Sequence, residues 1–379
     1  MMRPKVLFFS RVSAEPNARG NATYMRDLMR ALDAAGIDVE LVLLDAASGP
    51  PPPAWDSPAT AAERDFARQR IRESRPHVVL VNYTCLADLL DAAPAGTLTA
   101  ILTHDVCWRR AAVFAEAGAR QDGLRWDRES ETALLAKARL LVAIQAEEAR
   151  ILAEMAPGAE VLLAPFSMRP TPIATPPRPG RCLFVGSDAD HNRASLLWFL
   201  DAAWPLVLAA RPEATLSVCG TVNHRIKKTF PNVTMHGRVE DLEPQYAEAA
   251  VCIAPRLVGS GLEIKLVEAM GHGKCCVVNA RGLSALPSEC RDAVLPAADA
   301  DGFAATLLRA LGDEDLRRAV GRQALDCVRR FFNPERAYGP LVARIRRQAT
   351  ENGVHAPQGE ACSREGQSRS LLCKKFGTV

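Results

Sequence analysis

The stretch Pro255–Val278, PRLVGSGLEIKLVEAMGHGKCCVV, reads as a strand end, a glycine-flanked turn, a helix, Gly273 and the next strand. Strand, helix, strand in that order is the unit from which a parallel sheet with crossover helices is built. Gly259, Ser260 and Gly261 keep bulky side chains out of the turn. Backbone N–H groups at the start of the following helix can then approach an anion, and the helix dipole favours negative charge there. On the expected helix Leu262, Leu266 and Met270 share one face, while Lys265 and Glu268, three apart, share another. On one reading Lys265, with Arg256 at the strand end, balances diphosphate charge, and Glu268 accepts hydrogen bonds from the two ribose hydroxyls. On the other, this is a solvated polar face whose Ser260 and Glu263 form a capping box. The residues alone leave both readings standing.

The same rhythm extends outward in both directions. Upstream, β-rich runs fall at Lys5–Phe9, Val39–Leu44, His77–Tyr83, Leu98–Leu102, Leu140–Ile144 and Glu160–Ala164. Between the first two, Met25, Leu28, Leu32 and Ala35 mark one face of an amphipathic helix closed by Gly36. The proline-rich run Met168–Arg181 interrupts regular structure. The second half restarts with Arg181–Val185, Thr215–Gly220, Val233–Gly237, Val251–Pro255 and Cys275–Asn279, and residues 299–348 read as helical. The expected fold is α/β, with two Rossmann-like, doubly wound parallel-sheet domains facing a cleft. The first covers 1–168, a hinge 169–180 and the second 181–332. A helix over 333–349 is expected to pack back on the first domain, and the polar tail 350–379 to be disordered.

Composition narrows the function classes. A chain of 379 residues suits two domains. With 47 basic against 44 acidic residues, no global field points to nucleic acid. The 11 cysteines show no CxxC pair and no metal-ligand spacing, and are read as buried reduced thiols. The N-terminal run is too short for a signal-peptide core, and no segment has the roughly 18 consecutive apolar residues a membrane helix needs. A soluble, cytoplasmic protein is therefore expected, in which the sequons at Asn21, Asn82 and Asn232 carry no weight.

The run from Pro255 resembles the donor-site motif of glycosyltransferase family 4, a retaining GT-B family, in its branch P-x-R-x-G-S-G-x-x-x-K-x-x-E-A-M followed by G-K-x-x-V. Phe184–Leu200, FVGSDADHNRASLLWFL, is similar to that branch's F-x-G-S…N…W-F signature, and Thr103–Asp105 with WDRESE and LLVAIQAEEA to its N-terminal domain. The resemblance covers most of residues 3–348. It implies a nucleotide-diphosphate sugar held by the second domain, a hydroxyl acceptor held by the first, and catalysis without a metal or other cofactor. It places Gly186, Ser187 and Asn192 near the diphosphate and Arg238 and Val239 near the base. Arg256, Ser260, Gly261, Leu262, Lys265 and Glu268 belong to the donor site, and His104 points at the transferring sugar. His104, Lys265 and Glu268 are the implied catalytic set, and the loop Arg19, Gly20, Asn21 faces donor phosphate or acceptor. The chain departs from the family where Ser260 replaces the first acid of an E-x7-E pair, and where Ser187 and Asn192 stand in place of Arg and Lys.

Other signals carry less. His104 ends a strand that opens on the cleft, which fits a functional or a hydrogen-bonding histidine, and Asp105 is read as a cap. Asp188–Asp190 and Asp299–Asp301 both spell D-x-D, but neither context suits a metal, and chance is the reading adopted. Arg109, Arg110, Arg344, Arg346 and Arg347 are read as solvated, with peripheral membrane contact as the other option. A sugar-nucleotide epimerase and an inactive sugar-nucleotide or protein-binding module are the competing functions.

Overall fold

The computed structural model describes residues 3–13, 20–47, 49–118, 123–259 and 261–354. Arg19, Ser260 and the tail beyond 354 lie outside these residues.

The first unit is a six-stranded parallel sheet of β1 (Lys5–Ser10), β2 (Asp38–Leu43), β3 (Val78–Asn82), β4 (Leu98–Leu102), β5 (Leu140–Ala143) and β6 (Glu160–Leu163), in the order β2-β1-β3-β4-β5-β6. The second is a parallel sheet of β7 (Arg181–Val185), β8 (Thr215–Cys219), β9 (Val233–Gly237), β10 (Val251–Ala254), β11 (Cys276–Asn279) and β12 (Leu295–Ala297), in the order β12-β11-β10-β7-β8-β9. The expected α/β architecture is the one observed, and the expected strands agree to within a residue at either end. The strand that was not expected is β12: three residues around Pro296 at a sheet edge give no periodic signal, and only an edge tolerates the missing N–H donor.

Helices cover both faces, so the central strands are apolar on both sides; all five residues of β3 are buried. The helix Gly20–Ala34 buries Ala22, Tyr24, Met25, Leu28 and Leu32 against the first sheet. One apolar cluster runs from Val6, Phe8 and Met25 through Phe332 and Tyr338 to Met270 and Cys276, so the two units share a core. The helical run Asp190–Ala210, apolar enough to be compared with a bilayer span, places Leu196, Phe199, Leu200, Trp204 and Val207 in the second unit's core.

The chain crosses between units twice. No helix or strand forms over residues 164–180, and the outgoing Met168 amide donates to the returning Phe332 carbonyl at 2.7 Å. The terminal helix Pro334–Val354 reaches five residues into the stretch expected to be disordered; 355–379 lie outside the described residues. It is tied to the first unit by Tyr338 Oη donating to Asp27 Oδ2 (2.6 Å), Arg344 Nε to Glu160 Oε2 (2.8 Å) and Gln348 Nε2 to the Gly96 carbonyl (2.8 Å). Two of the arginines read as solvated are therefore buried: Arg344, and Arg110, which pairs with Asp56 and Asp105. Arg109 pairs with Glu147, Arg346 donates to the Ala35 carbonyl, and Arg347 lies 3.7 Å from Glu160.

The cysteine reading needs one correction. Cys85, Cys107, Cys182, Cys219, Cys252, Cys275 and Cys276 are buried free thiols, but Cys290 and Cys327 are joined by a disulfide with Cα atoms 5.5 Å apart. The connector Ser288–Ala293 lies against the helix Glu314–Cys327, a juxtaposition that cysteine spacing does not reveal. Closing a loop with a sequence separation of 37 is worth about 4 kcal/mol on chain-entropy grounds. The Cys290→Ala, Cys327→Ala double variant should accordingly show a lower urea midpoint, and reductant should lower the wild-type midpoint but leave the variant's unchanged.

Candidate functional site

Strand order locates the crevice in each unit. In an open parallel sheet, loops diverge at the carboxyl ends of the two strands where the winding reverses, and ligands bind there. Those strands are β1 and β3 in the first sheet, β7 and β10 in the second. The loops after β7 and β10 are the Gly186 loop and the Pro255–Gly261 turn singled out in the sequence.

Three neighbouring strands of the second unit end on glycines that pack together. The Gly186 amide donates to Cys219 O (2.9 Å), and the Gly220 amide to Gly237 O (2.6 Å). Gly220 has φ +98°, and a Cβ on it would lie 2.2 Å from the Gly186 carbonyl oxygen, so only glycine fits. Gly186 thus shapes the loop, its own N–H already engaged. Ser187 and Asn192 lock the loop to the next helix: Asn192 Nδ2 donates to Ser187 O (3.1 Å) and Oγ (3.2 Å). Arg238 follows β9 on the surface, and Val239 packs against the shared core.

Lys265 is the hub of this half. Its Nζ donates to Asn192 Oδ1 (2.8 Å), lies 3.5 Å from Glu263 Oε1, and sits 4.5 Å from the centroid of the Phe184 ring. Burial lowers its pKa, opposed by the Glu263 carboxylate. The expected helix starts later than the sequence suggested: it spans Ile264–Gly271 with Glu263 as N-cap, and Glu263 makes no side-chain cap bond. Leu262 therefore precedes the helix. The N-cap is Glu263, not the Ser260 of the capping-box reading, and Ser260 itself lies outside the described residues.

Arg256 is buried and braces the turn, donating through Nη1 to the Gly261 carbonyl at 2.5 Å, while Asn279 clasps its backbone. Its position makes it a support for the glycine turn. Gly259 and Gly261 both have positive φ, +101° and +79°. Glu268 lies one turn along the helix; desolvation raises its pKa to about 7, opposed by the Arg26 guanidinium.

The first unit meets this turn directly. A Cβ on Gly261 would lie 3.0 Å from the His104 carbonyl oxygen, and one on Gly20 would lie 3.5 Å from Ile264 Cδ1. His104, at the end of β4, has φ +55° and is 8% exposed. Its ring stacks on Tyr83 (4.4 Å, 28°), meets Tyr24 edge-on (5.5 Å), and its Nε2 is 2.6 Å from Asn82 Oδ1. Asn21 Nδ2 donates to Tyr83 Oη at 2.9 Å, which fixes the loop that Gly20 opens. Asp105 does not cap: Val106 is the N-cap of helix Cys107–Glu116, and Asp105 pairs with Arg110 at 2.9 Å, since the guanidinium between Asp105 and Asp56 competes better for the carboxylate. The N-terminus of that helix is instead held by Glu131, which accepts from the amides of Cys107 (2.9 Å) and Trp108 (2.8 Å). Beside it, buried Glu148 accepts from the Val106 amide (3.3 Å), and burial raises its pKa to about 8.

The structure thus brings together Gly20, His104, Gly261, Leu262, Lys265, Asn192 and Ser187, with Glu268 on the same helix as Lys265. It does not assign Arg256 a ligand-facing role, and Arg19 and Ser260 lie outside the described residues. Three of the four D-x-D aspartates are engaged: Asp188 by Arg225 (2.8 Å), Asp190 by Arg193 (2.9 Å), and Asp299 as N-cap to the Gly302 amide (2.8 Å). Sequence reading missed Gly220, Asn82, Tyr83, Phe184 and Glu263. The glycine ending each of three consecutive second-unit strand segments was a visible signal; the others are neighbours only in space.

Comparison with known proteins bears on both halves. The chain resembles a sucrose-phosphate synthase from Thermosynechococcus elongatus over 94% of its length and all of that chain, with TM-score 0.68 and 16% identity. It also resembles the Anabaena protein HepE solved in complex with UDP, over 93% of its length and all of that chain, with TM-score 0.61 and 13% identity. The fold is GT-B. Within this GT-B chain, residues 179–313 match the family described as Glycosyl transferases group 1. A phosphatidyl-myo-inositol mannosyltransferase of Mycolicibacterium smegmatis is 31% identical over 166 residues. That match covers 41% of this chain and 42% of the mannosyltransferase, so the chain matches under half of the relative's length. The matched family segment contains the Gly186 loop, the glycine turn, Lys265 and Glu268.

Proposed function

We propose that this chain is a retaining glycosyltransferase of family 4 type, moving a sugar from a nucleoside diphosphate donor to a hydroxyl acceptor without a metal ion. The observation that carries the reading is the approach of the Gly261 turn, which leads into the Lys265 helix within a group 1 glycosyltransferase segment, to His104 of the opposite unit. Leaving-group charge develops on the diphosphate as the C1–O bond breaks, and the ammonium of Lys265 with the amides of the glycine turn stabilises it. Acceptor oxygen bonds to C1 on the face the phosphate leaves, and its proton passes to a phosphate oxygen. No protein nucleophile is needed. Glu268 accepts from the ribose hydroxyls, and the base lies towards Val239 and Arg238. A UDP complex of one structural relative and the mannosyltransferase match support a nucleotide-sugar donor and a carbohydrate-type acceptor. A cytoplasmic site of action accords with these substrates.

Glu268 gives a pH signature. Its carboxyl, held near 7 instead of its ordinary 4.5, must ionise to accept both hydroxyl hydrogen bonds. Donor affinity measured by calorimetry should therefore rise between pH 6 and 8, and Glu268→Ala should flatten that rise and weaken binding by about 10- to 100-fold. In the free protein the sign for stability is opposite: with the folded pKa raised, this group's contribution is present below pH 4.5 and is lost as pH rises through about 7. Incubation with a panel of nucleoside diphosphate sugars and hydroxyl acceptors tests the reaction itself. Free nucleoside diphosphate with glycosylated acceptor supports transfer; an isomerised donor, or binding with no turnover, overturns it.

A further inference from the structure

We infer that Asn82 is a positioning residue that fixes His104 as the Nε2–H tautomer, so that the imidazole presents the Nδ1 lone pair to the cleft as a hydrogen-bond acceptor. The inference rests on the proposed transfer reaction only for its consequence; the geometry is independent of it. The Ser10 hydroxyl donates to Val12 O at 2.8 Å, so its oxygen has only lone pairs left, and it accepts from the Val12 amide at 2.9 Å. Asn82 must therefore turn its NH2 towards Ser10 Oγ, 3.0 Å away, with Met25 Sδ also 3.0 Å from that nitrogen. Its carbonyl oxygen then faces His104 Nε2 at 2.6 Å, an acceptor that only a protonated ring nitrogen can satisfy. Nδ1 receives no bond from any described residue.

The surroundings keep this imidazole neutral. The ring is packed between Tyr83 and Tyr24, whose phenols burial pushes far towards the protonated form. Asp105, the adjacent carboxylate, is paired with Arg110, and no carboxylate contacts the ring. Burial alone carries the His104 pKa down to about 3. The positive φ of both Tyr83 (+74°) and His104 (+55°) shows that the backbone holds this arrangement against its own preference. A lone pair here is suited to accept from a sugar or acceptor hydroxyl beside the Gly261 turn.

Nitrogen-15 NMR of the protein labelled in histidine, with His104→Gln to assign the signal, reads the tautomer directly. The expected result is a single Nε2–H species that does not titrate between pH 5 and 8. Asn82→Asp should supply a carboxylate in the same place and raise the His104 pKa by about 1–3 on the pH scale. Ser10→Ala should free the amide to flip and mix the tautomers, and serves if Asn82→Asp fails to fold. Under the transfer reading, Asn82→Asp should also add an acid limb to the pH profile of kcat that Asn82→Leu, which merely loses activity, lacks. A wild-type His104 that titrates near its ordinary value, or that shows the Nδ1–H tautomer, overturns the inference whether or not transfer is observed. The expected tautomer in a protein without transferase activity would leave the inference standing and overturn the function.

Discussion

Lys265→Ala is expected to lower transfer by about 10²–10³-fold, mostly in kcat, the loss seen when one preorganised donor to a developing oxyanion is removed. The side chain is aimed by three contacts: Asn192 Oδ1 at 2.8 Å, the Phe184 ring and the Glu263 carboxylate. Such a held ammonium needs no reorganisation when charge moves onto the diphosphate. Lys265→Arg should recover little, because a planar fork cannot occupy the place of a compact ammonium between a ring and an amide oxygen. Steady-state kinetics check this, and a melting curve taken alongside separates lost charge from lost fold. Unchanged kcat in a folded Lys265→Ala protein would remove the lysine from the mechanism.

The second large effect is expected at Gly261. Its φ of +79° strains any other residue by about 1–3 kcal/mol, and a Cβ added there would press on the His104 carbonyl oxygen at 3.0 Å. Gly261→Val should hold the two units apart at the point where they touch. Because the diphosphate is proposed to rest on the amides of this same turn, donor affinity should weaken, and turnover at saturating donor should fall on the order of 10²-fold besides, the cost of a misplacement of about 1 Å. Calorimetry with the nucleoside diphosphate and kcat measured together give the test. Weakened donor affinity with kcat unchanged would show instead that the turn matters to binding alone.

The fold was legible because parallel sheets write themselves plainly. Strands such as Val78–Asn82, buried on both faces, appear as unbroken apolar runs, and the intervening helices carry a 3.6-residue period. The Gly259–Gly261 turn was legible for a related reason: positive φ and close approach restrict a position to glycine, which stands out in a sequence. Helix onset was less so. The two residues Leu262 and Glu263 between the turn and the helix extend the connection, and local propensity offered Ser260 as the cap where the N-cap position is held by Glu263.

What the sequence hid is what depends on distant partners. Arg256 looked like a free cation at a strand end, but its burial and its bond to Gly261 O come from the turn folding back over it. Arg110 looked solvated because its partners, Asp56 and Asp105, come from separate segments. Asn82 and Ser10, on neighbouring strands β3 and β1, meet only when the sheet forms. Cys290 and Cys327 pair for the same reason.

A crystal soaked with a nucleoside diphosphate bears most directly on the proposed donor site. The expected density places the diphosphate between the Ser187 loop and the Gly259–Leu262 turn, within reach of Lys265 Nζ, with both ribose hydroxyls on Glu268. Density at another place on the chain, with the Lys265 ammonium still on Asn192 and the turn unoccupied, would contradict it.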